Sequence, residues 1–329
     1  MARFDVLGIG NAIVDVVARV EDRFLSRHDM RKGGMALIDA DAAASIYAAM
    51  PPGIESSGGS AANTCAVAAG MGARVAYLGK VADDELGTVF RHDITAAGVA
   101  FPSAPLVGGA PTARCLVLVT PDGQRTMNTF LGACTSFGPG DVDPALVAEA
   151  DVLYLEGYLF DPPAAQAAFQ RAAAAAHAAG RRVALSLSDA FCVDRHRAAF
   201  RDLVRGAVDI LFANETEITS LYEANSFEAA MEAARGDVGL AALTRSEAGS
   251  VIVQGTETIV VAAAPCAVVD TTGAGDAYAA GFLAGLAAGS GLAVCGKLGS
   301  LAAAEVIGRV GARPEKALRG LVAAPSPGA

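Results

Sequence analysis

Tryptophan is absent from this 329-residue chain, aromatic residues of every kind make up 6%, and charged residues only 18%. With 53% hydrophobic residues, so little charge excludes a disordered chain. Basic character is also scarce: 25 Lys and Arg stand against 35 Asp and Glu, a formal net charge of −10. That balance argues against nucleic acid or an anionic membrane as a partner, so an anionic substrate must be held by local donors. The cysteines Cys65, Cys115, Cys134, Cys192, Cys266 and Cys295 form no C-x-x-C pair, and most sit in apolar runs. Buried free thiols are expected, not a zinc site or a disulfide framework. Met1-Ala2-Arg3-Phe4-Asp5 has no apolar signal core, so a cytoplasmic location is expected.

No charge falls between Ala277 and Gly296, where Gly281, Gly285 and Gly289 repeat at GxxxG spacing. The run is mostly Ala and Gly, and Gly289-Ser290-Gly291 divides it. It reads as two helices buried against a sheet, not as a membrane span. The length suits one large α/β domain with an appendage. From Asp141 onward, apolar strands and helical patterns alternate: 152–155, 162–179, 183–187, 195–205, 209–212 and 241–244, then a hairpin over 250–261. Alternation of this kind predicts a mostly parallel sheet with helices on both faces, and ligands at the carboxyl ends of its strands. Between Val99 and Cys134 the pattern changes to short strands, with Thr120-Pro121-Asp122-Gly123-Gln124 as a hairpin turn. With 14–21 and 33–39, residues 99–134 are expected to form a small separate sheet, a lid carrying Arg125 and Asn128.

The chemistry concentrates at Asp270-Thr271-Thr272-Gly273-Ala274-Gly275-Asp276, where an extended run enters a Gly-rich turn that opens a helix. Such a turn presents unpaired backbone N–H groups and the positive end of the helix dipole, a phosphate site. Asp276 is either a helix-start carboxylate favoured by the dipole or a base that takes a proton from a group attacking the phosphate. A second Gly-rich turn, Ser57-Gly58-Gly59-Ser60-Ala61-Ala62-Asn63, also opens a helix. It lacks the Lys of a phosphate-binding P-loop and the last Gly of a nucleophile elbow. It could grip hydroxyls through its amides and Asn63, or be a plain cap at Ser60. Gly8-Ile9-Gly10 opens like a dinucleotide fingerprint, but Ile13 stands where the third glycine belongs. Asn11, Ile13 and Asp15 are expected on one face of an extended segment, where two polar groups suit a polyol. Asn214 and Glu217 read either as a capping pair or as a site where a carboxylate orders water around Mg²⁺. Asn11, Glu217, Ser246 and Asp276 all follow expected strands.

Together these motifs resemble the ribokinase (PfkB) carbohydrate-kinase family. Gly58 to Asn63, followed by Gly79-Lys80-Val81-Ala82-Asp83-Asp84, is similar to its N-terminal signature. Asp270 to Asp276 with Gly281-Phe282 is similar to its C-terminal signature, and Asn214-x-x-Glu217 to its magnesium-associated motif. Gly10-Asn11-Ala12-Ile13-Val14-Asp15 and Gly311-Ala312-Arg313-Pro314-Glu315-Lys316 most resemble the adenosine kinases of the family. The resemblance implies a ribokinase-like three-layer α/β/α fold with a small β-sheet lid. It implies transfer of the ATP γ-phosphoryl group to the 5′-hydroxyl of adenosine, with Mg²⁺ and a possible K⁺. Asp276 would be the base, the amides of Gly273, Ala274 and Gly275 would hold the migrating phosphoryl group, and Arg125 would reach the phosphates. Asn11, Asp15, Gly58, Gly59, Asn63 and Asn128 would line the acceptor site, with Tyr158 stacking on the base. Asn214, Thr244, Ser246, Gly249 and Thr272 would line the ATP site, although Ser246 replaces the usual glycine. Glu217 would act on Mg²⁺ through water, and Asp270 and Thr272 would hold the monovalent cation. Open alternatives are a sugar kinase of the ribokinase, fructokinase or 2-keto-3-deoxygluconate kinase type, a kinase of another nucleoside, a non-catalytic nucleoside sensor and, most distantly, an NAD-dependent oxidoreductase. The expected partners are small molecules only, in a monomer or homodimer.

Overall fold

A computed structural model describes residues 2–315 and 318–321, so Lys316 of the last quoted motif lies outside the described residues. Fourteen strands are described: β1 (Phe4–Ile9), β2 (Ile13–Arg19), β3 (Met35–Leu37), β4 (Ile54–Gly58), β5 (Val75–Leu78), β6 (Val99–Ala100), β7 (Ala113–Val119), β8 (Arg125–Phe130), β9 (Ala150–Glu156), β10 (Arg182–Ser186), β11 (Ile210–Asn214), β12 (Leu240–Thr244), β13 (Ser250–Gln254) and β14 (Glu257–Val261). Nine form one sheet in the order β14-β13-β12-β11-β10-β9-β1-β5-β6, and five form a second in the order β3-β8-β7-β2-β4. In the large sheet β1, β5, β6 and β9 to β12 run parallel, and the β13–β14 hairpin adds antiparallel edge strands.

Side-chain alternation divides that sheet between two cores. Val6, Val152, Tyr154, Ala184, Phe212 and Ala242 point to one face, and the helices Ser60–Gly70, Glu85–Ala96, Ala274–Ala287 and Leu292–Ile307 cover it. Leu7, Leu153, Leu155, Leu185, Leu211 and Leu243 point to the other, under Pro163–Ala178, Ala190–Ala207, Glu215–Tyr222 and Phe227–Asp237. This is the expected α/β/α layering. β5 and β6 continue from β1 in one direction and β9 onward in the other, so the order reverses beside β1. Ligands bind at such switch points, beyond the carboxyl ends of the strands.

The small sheet departs from expectation in two places. Val99–Ala100 pairs with β5 in the large sheet, and Gly132–Ser136 is a 3₁₀ turn, so only the middle of 99–134 enters the small sheet. Conversely, Ile54–Gly58, which lies outside the three segments expected in the small sheet and alternates only weakly, forms an antiparallel edge strand against β2. Pairing with the register of β2 overrides that weak local pattern. The hairpin at 120–124 is present, with Thr120 and Gln124 hydrogen-bonded and Gly123 at φ 81°.

The uncharged run is two helices, Ala274–Ala287 and Leu292–Ile307, as the Gly289-Ser290-Gly291 break predicts. Among the described residues no helix is long and apolar enough to cross a membrane. The glycines serve close contact. A Cβ at Gly281 would lie 2.5 Å from the Leu298 carbonyl oxygen, and one at Gly299 2.7 Å from that of Tyr278. No disulfide joins Cys65, Cys115, Cys134, Cys192 or Cys295, all buried, while Cys266 is exposed. Because backbone blocks the space at Gly281, G281A should cost about 1–3 kcal/mol in urea unfolding. At Gly206, where a Cβ meets nothing within 4 Å, G206A should be neutral or stabilising by up to about 1 kcal/mol.

Candidate active site

Two Gly-rich turns open helices toward each other beyond the carboxyl ends of the strands. The first helix, Ser60–Gly70, is capped not by Ser60 but by Gly59, at φ 95°. A Cβ at Gly59 would fall 2.0 Å from the Asn11 carbonyl oxygen, and one at Gly58 2.2 Å from the Asp15 carboxylate. These two glycines therefore make room for Asn11 and Asp15. Ser60, freed from capping, donates its hydroxyl to Asp276 Oδ1 at 2.6 Å. Asn63 Nδ2 faces Asp276 Oδ2 at 3.5 Å.

The second helix, Ala274–Ala287, is capped by Gly273 in the left-handed conformation, φ 76°. There a Cβ would also strike Ala312 at 2.8 Å. The Ala274 N–H closes the turn by donating to the Thr271 carbonyl at 3.2 Å, so it is less free than its neighbours. Among the described residues, the N–H groups of Gly273, Gly275 and Asp276 engage no acceptor. A Cβ built on Gly275 meets nothing within 4 Å, which leaves room in front of these donors. Unpaired donors, a dipole end and open space together fit a phosphoryl oxygen.

Asp276 is half-buried, and desolvation pushes its pKa up to about 6 against the lowering effect of Ser60, Asn63 and Arg313. Asp15 on β2 is likewise raised to about 6 by desolvation, with Arg313 and Arg125 lowering it and the charge of Asp276 raising it. Both carboxylates flank the first Gly-rich turn, Asp15 against Gly58 and Asp276 against Ser60, and Arg313 lowers the pKa of each. Asn11 lies before β2 rather than on it. It is buried, and its backbone N–H and Nδ2 both donate to Glu156 Oε1, at 3.1 and 2.8 Å. Glu156, at the end of β9, also accepts from the Ala61 N–H at 2.7 Å, at the start of the first helix. Burial raises its pKa to about 7. The sequence reading missed Glu156, an acid inside the otherwise apolar run that ends β9.

Asn128 does not face this cleft. Register pairs Asp15 with Cys115 and Cys115 with Thr129, so the face of the small sheet that carries Asp15 also carries Thr129 and, by alternation, Arg125. Asn128 pairs with Leu116 on the opposite face, is buried, and touches Met30. Its odd spacing from Arg125 already encodes this. Arg125 reaches across to the phosphate turn, 2.7 Å from Asp270 Oδ2 and 3.3 Å from Thr272 Oγ1. Asp270 also accepts from Thr272 N and Oγ1, at 3.1 and 2.7 Å, and from Gly311 N at 2.9 Å. Its oxygens are thus taken by a guanidinium and three donors, which does not fit the monovalent-cation site expected at Asp270 and Thr272.

Tyr158 follows β9 and is 39% exposed, and desolvation of its hydroxyl, with the nearby Asp189, Asp276, Glu217 and Glu156 charges, raises its pKa. Asn214 and Thr244 are paired neighbours at the ends of β11 and β12. Ser246 adopts φ 50°, the region that favours glycine, and a Cβ at Gly249 would lie 2.1 Å from the Val261 carbonyl oxygen. The capping reading of Asn214 and Glu217 holds: Glu217 N donates to Asn214 Oδ1 at 2.8 Å, Asn214 N to Glu217 Oε2 at 2.9 Å, and Asn214 Nδ2 to Glu217 Oε1 at 2.6 Å. Burial raises the Glu217 pKa to about 7. Among the described residues no group of three or more His, Cys, Asp or Glu side chains could hold a metal ion.

A second residue that the sequence reading left without a role is Arg313. Its Nε donates to Asn63 Oδ1 and its Nη1 to Ser57 Oγ, both at 2.8 Å. Its motif carried the signal, but a basic residue near the end of the sequence gives no hint of which loop it enters.

Comparison with known proteins establishes the family. Residues 50–317 match the pfkB family carbohydrate kinase domain. An ATP-dependent ribose-1-phosphate kinase of Halopiger xanaduensis is 31% identical over 281 residues, 85% of this chain and 83% of that protein. The solved structure of adenosine kinase from Sinorhizobium meliloti is 54% identical with a TM-score of 0.89, over 97% of this chain and 98% of that one. A structure from Rhizobium etli CFN 42, described as a probable sugar kinase protein, is 50% identical with a TM-score of 0.90, over 98% of each chain. The chain is a phosphotransferase acting on a hydroxyl group, and it belongs to the pfkB family of carbohydrate kinases.

Proposed function

We propose that this kinase transfers the γ-phosphoryl group of ATP to the 5′-hydroxyl of adenosine, giving AMP and ADP, with Asp276 as the base. The observation that carries the reading is the placement of the Asp276 carboxylate. It is held by Ser60 and Asn63 at the mouth of the unpaired N–H groups of Gly273 and Gly275, in a cleft shared with Asp15. In this reading Asp15 and Asn63 orient the ribose hydroxyls, Tyr158 meets the base, and Asp276 accepts the proton of the primary hydroxyl as its oxygen attacks the γ-phosphorus. The amides of the turn hold the charge on the migrating group. Asn214, Thr244, Ser246 and Gly249 line the ATP side, past the ends of β11 and β12.

Mg²⁺ would neutralise phosphate charge when bound with ATP. Glu217 suits an outer role through water, since Asn214 already occupies both of its oxygens and no metal-binding cluster exists among the described residues. Arg125, braced on Asp270, brings a positive charge from the small sheet to the edge of the phosphate turn. The small sheet then acts as a lid whose closure excludes water. Adenosine is favoured over a sugar by the 54% identity to the Sinorhizobium meliloti enzyme and by Tyr158. The Halopiger xanaduensis relative makes ribose 1-phosphate the second acceptor to test.

An ADP-release assay with adenosine, inosine, ribose, ribose 1-phosphate, fructose and 2-keto-3-deoxygluconate should show adenosine with the highest kcat/KM; a sugar ahead of it would refute the acceptor assignment. D276N should retain adenosine binding in calorimetry and lose about 10²–10⁴-fold in kcat. Near-normal turnover would remove the base. The base works only when ionised, and its pKa stands at about 6, so kcat/KM should be flat above pH 7 and fall as pH drops below about 6. A profile level down to pH 4.5 would contradict that assignment.

A further inference from the structure

Beyond the base and the turn, one cation is built into the cleft with no role in the reading above. Arg313 arrives on the segment that follows the helix Leu292–Ile307, with its side chain only 21% exposed. Its guanidinium stands between two oxygens. Nε donates to Asn63 Oδ1, while Nη1 donates to Ser57 Oγ and lies 3.5 Å from Asp93 Oδ2. Ser57 Oγ in turn donates to Asp93 Oδ2 at 2.5 Å, and the Ser57 N–H donates there too at 2.8 Å. The directions of this chain follow from donor chemistry. An arginine can only donate, so the Asn63 oxygen must face it. The Asn63 NH₂ must then face the other way, toward Asp276 Oδ2. The hydroxyl of Ser57, accepting from Arg313, is left to donate to Asp93.

We propose that Arg313 is a positioning residue for the kinase reaction: its two-pronged bond to Asn63 and Ser57 fixes the Asn63 amide with its NH₂ toward Asp276, and so ties the 309–313 segment to the proton acceptor. Without a donor on its far side, the Asn63 amide could rotate and turn its oxygen on Asp276, where two acceptors repel. Lysine is no equivalent, because one ammonium cannot hold the planar fork that spans both partners. The electrostatics point the same way. Arg313 lowers the pKa values of Asp276 and Asp15, opposing the desolvation that raises both. The charged groups around this centre come from every element that packs on it: Asp15 on β2, Arg125 on β8, Glu156 on β9, Asp93 on the helix Glu85–Ala96 and Asp276 itself. The proposal rests on Asp276 being the base, so its test needs one readout that does not depend on turnover.

The full chain is compared with R313M and R313K, each checked for folding by thermal melting. In ¹⁵N–¹H spectra the Asn63 NH₂ pair, identified by its loss in N63A, should titrate with Asp276 at a midpoint near pH 6 in the unsubstituted chain. In R313M that midpoint should rise by about half a pH unit or more, or the titration should vanish. The kcat/KM for adenosine should fall about 10-fold or more, with its acidic limb displaced to higher pH. R313K should keep the limb, because the charge remains, yet lose in kcat/KM, because the fork is gone. If R313M does not fold, R313K decides by that split. Unchanged Asn63 resonances and an unchanged kcat/KM in the folded variants would overturn the proposal. If the unsubstituted chain turns over none of the acceptors, the reaction reading fails, while the Asn63 titration still decides the role of Arg313.

Discussion

One hydrogen bond joins the two ends of the cleft, from the Ser60 hydroxyl to the Asp276 carboxylate. It links the first residue of one helix to the first turn of another, across 216 positions of sequence. Each helix start is a place where backbone donors lack partners, and each carries a carboxylate in answer: Glu156 below the first and Asp276 within the second. The parallel sheet makes this meeting possible. Its strand order reverses beside β1, so the loops after β1 and β9 diverge and leave a crevice for both helix starts. Glycines at 58, 59 and 273 let backbone and side chains close in around it, and substitution there would cost position as well as space.

The cleft is negative by construction, and the chain as a whole carries a formal net charge of −10. Asp15, Glu156, Glu217 and Asp276 all have raised pKa values, each mainly because burial disfavours the charged form. For such groups folding is helped by low pH and opposed as pH rises through the folded pKa values of about 6 to 7. Near neutrality the site therefore holds charge at the expense of fold stability. Two arginines from distant parts of the chain offset part of that cost. Arg125 answers Asp270, and Arg313 serves Asp15 and Asp276 through space while bonding Asn63. These two cations are local answers to carboxylates on a chain whose overall field is negative.

The layering was legible because its signals are long and periodic. The strand–helix alternation after Asp141, the break at Gly289-Ser290-Gly291 and the hairpin at 120–124 all stand where their patterns put them. The turn before Ala274 and its helix start were legible because a Gly-rich stretch and a helical pattern meet within seven residues. What escaped has a physical reason in each case. The edge strand Ile54–Gly58 exists through its pairing with β2, which no local window contains. Asn128, expected at the acceptor site together with Arg125 on the lid, lies at odd spacing from it, and the alternation of a strand turns such neighbours to opposite faces. Of the two readings left open for the 57–63 turn, the plain cap at Ser60 does not occur: Gly59 caps the helix and the Ser60 hydroxyl serves the other helix. Glu156 and Arg313 act through partners 145 and 250 residues away, a distance over which one sequence carries no directional signal.

The closing of Gly311, Ala312 and Arg313 over the Asp270 turn and the helix that carries Asn63 has a temporal side. A ribosome makes Asn63 and Asp15 long before it makes Arg313, and domains consolidate as they emerge. The nascent chain can therefore bury both faces of its sheet while the carboxylate at 276 still lacks the last of its supports. The arrangement of this cleft is then completed late in the life of each molecule, once the segment that carries Arg313 has folded back onto the turn at 57–63.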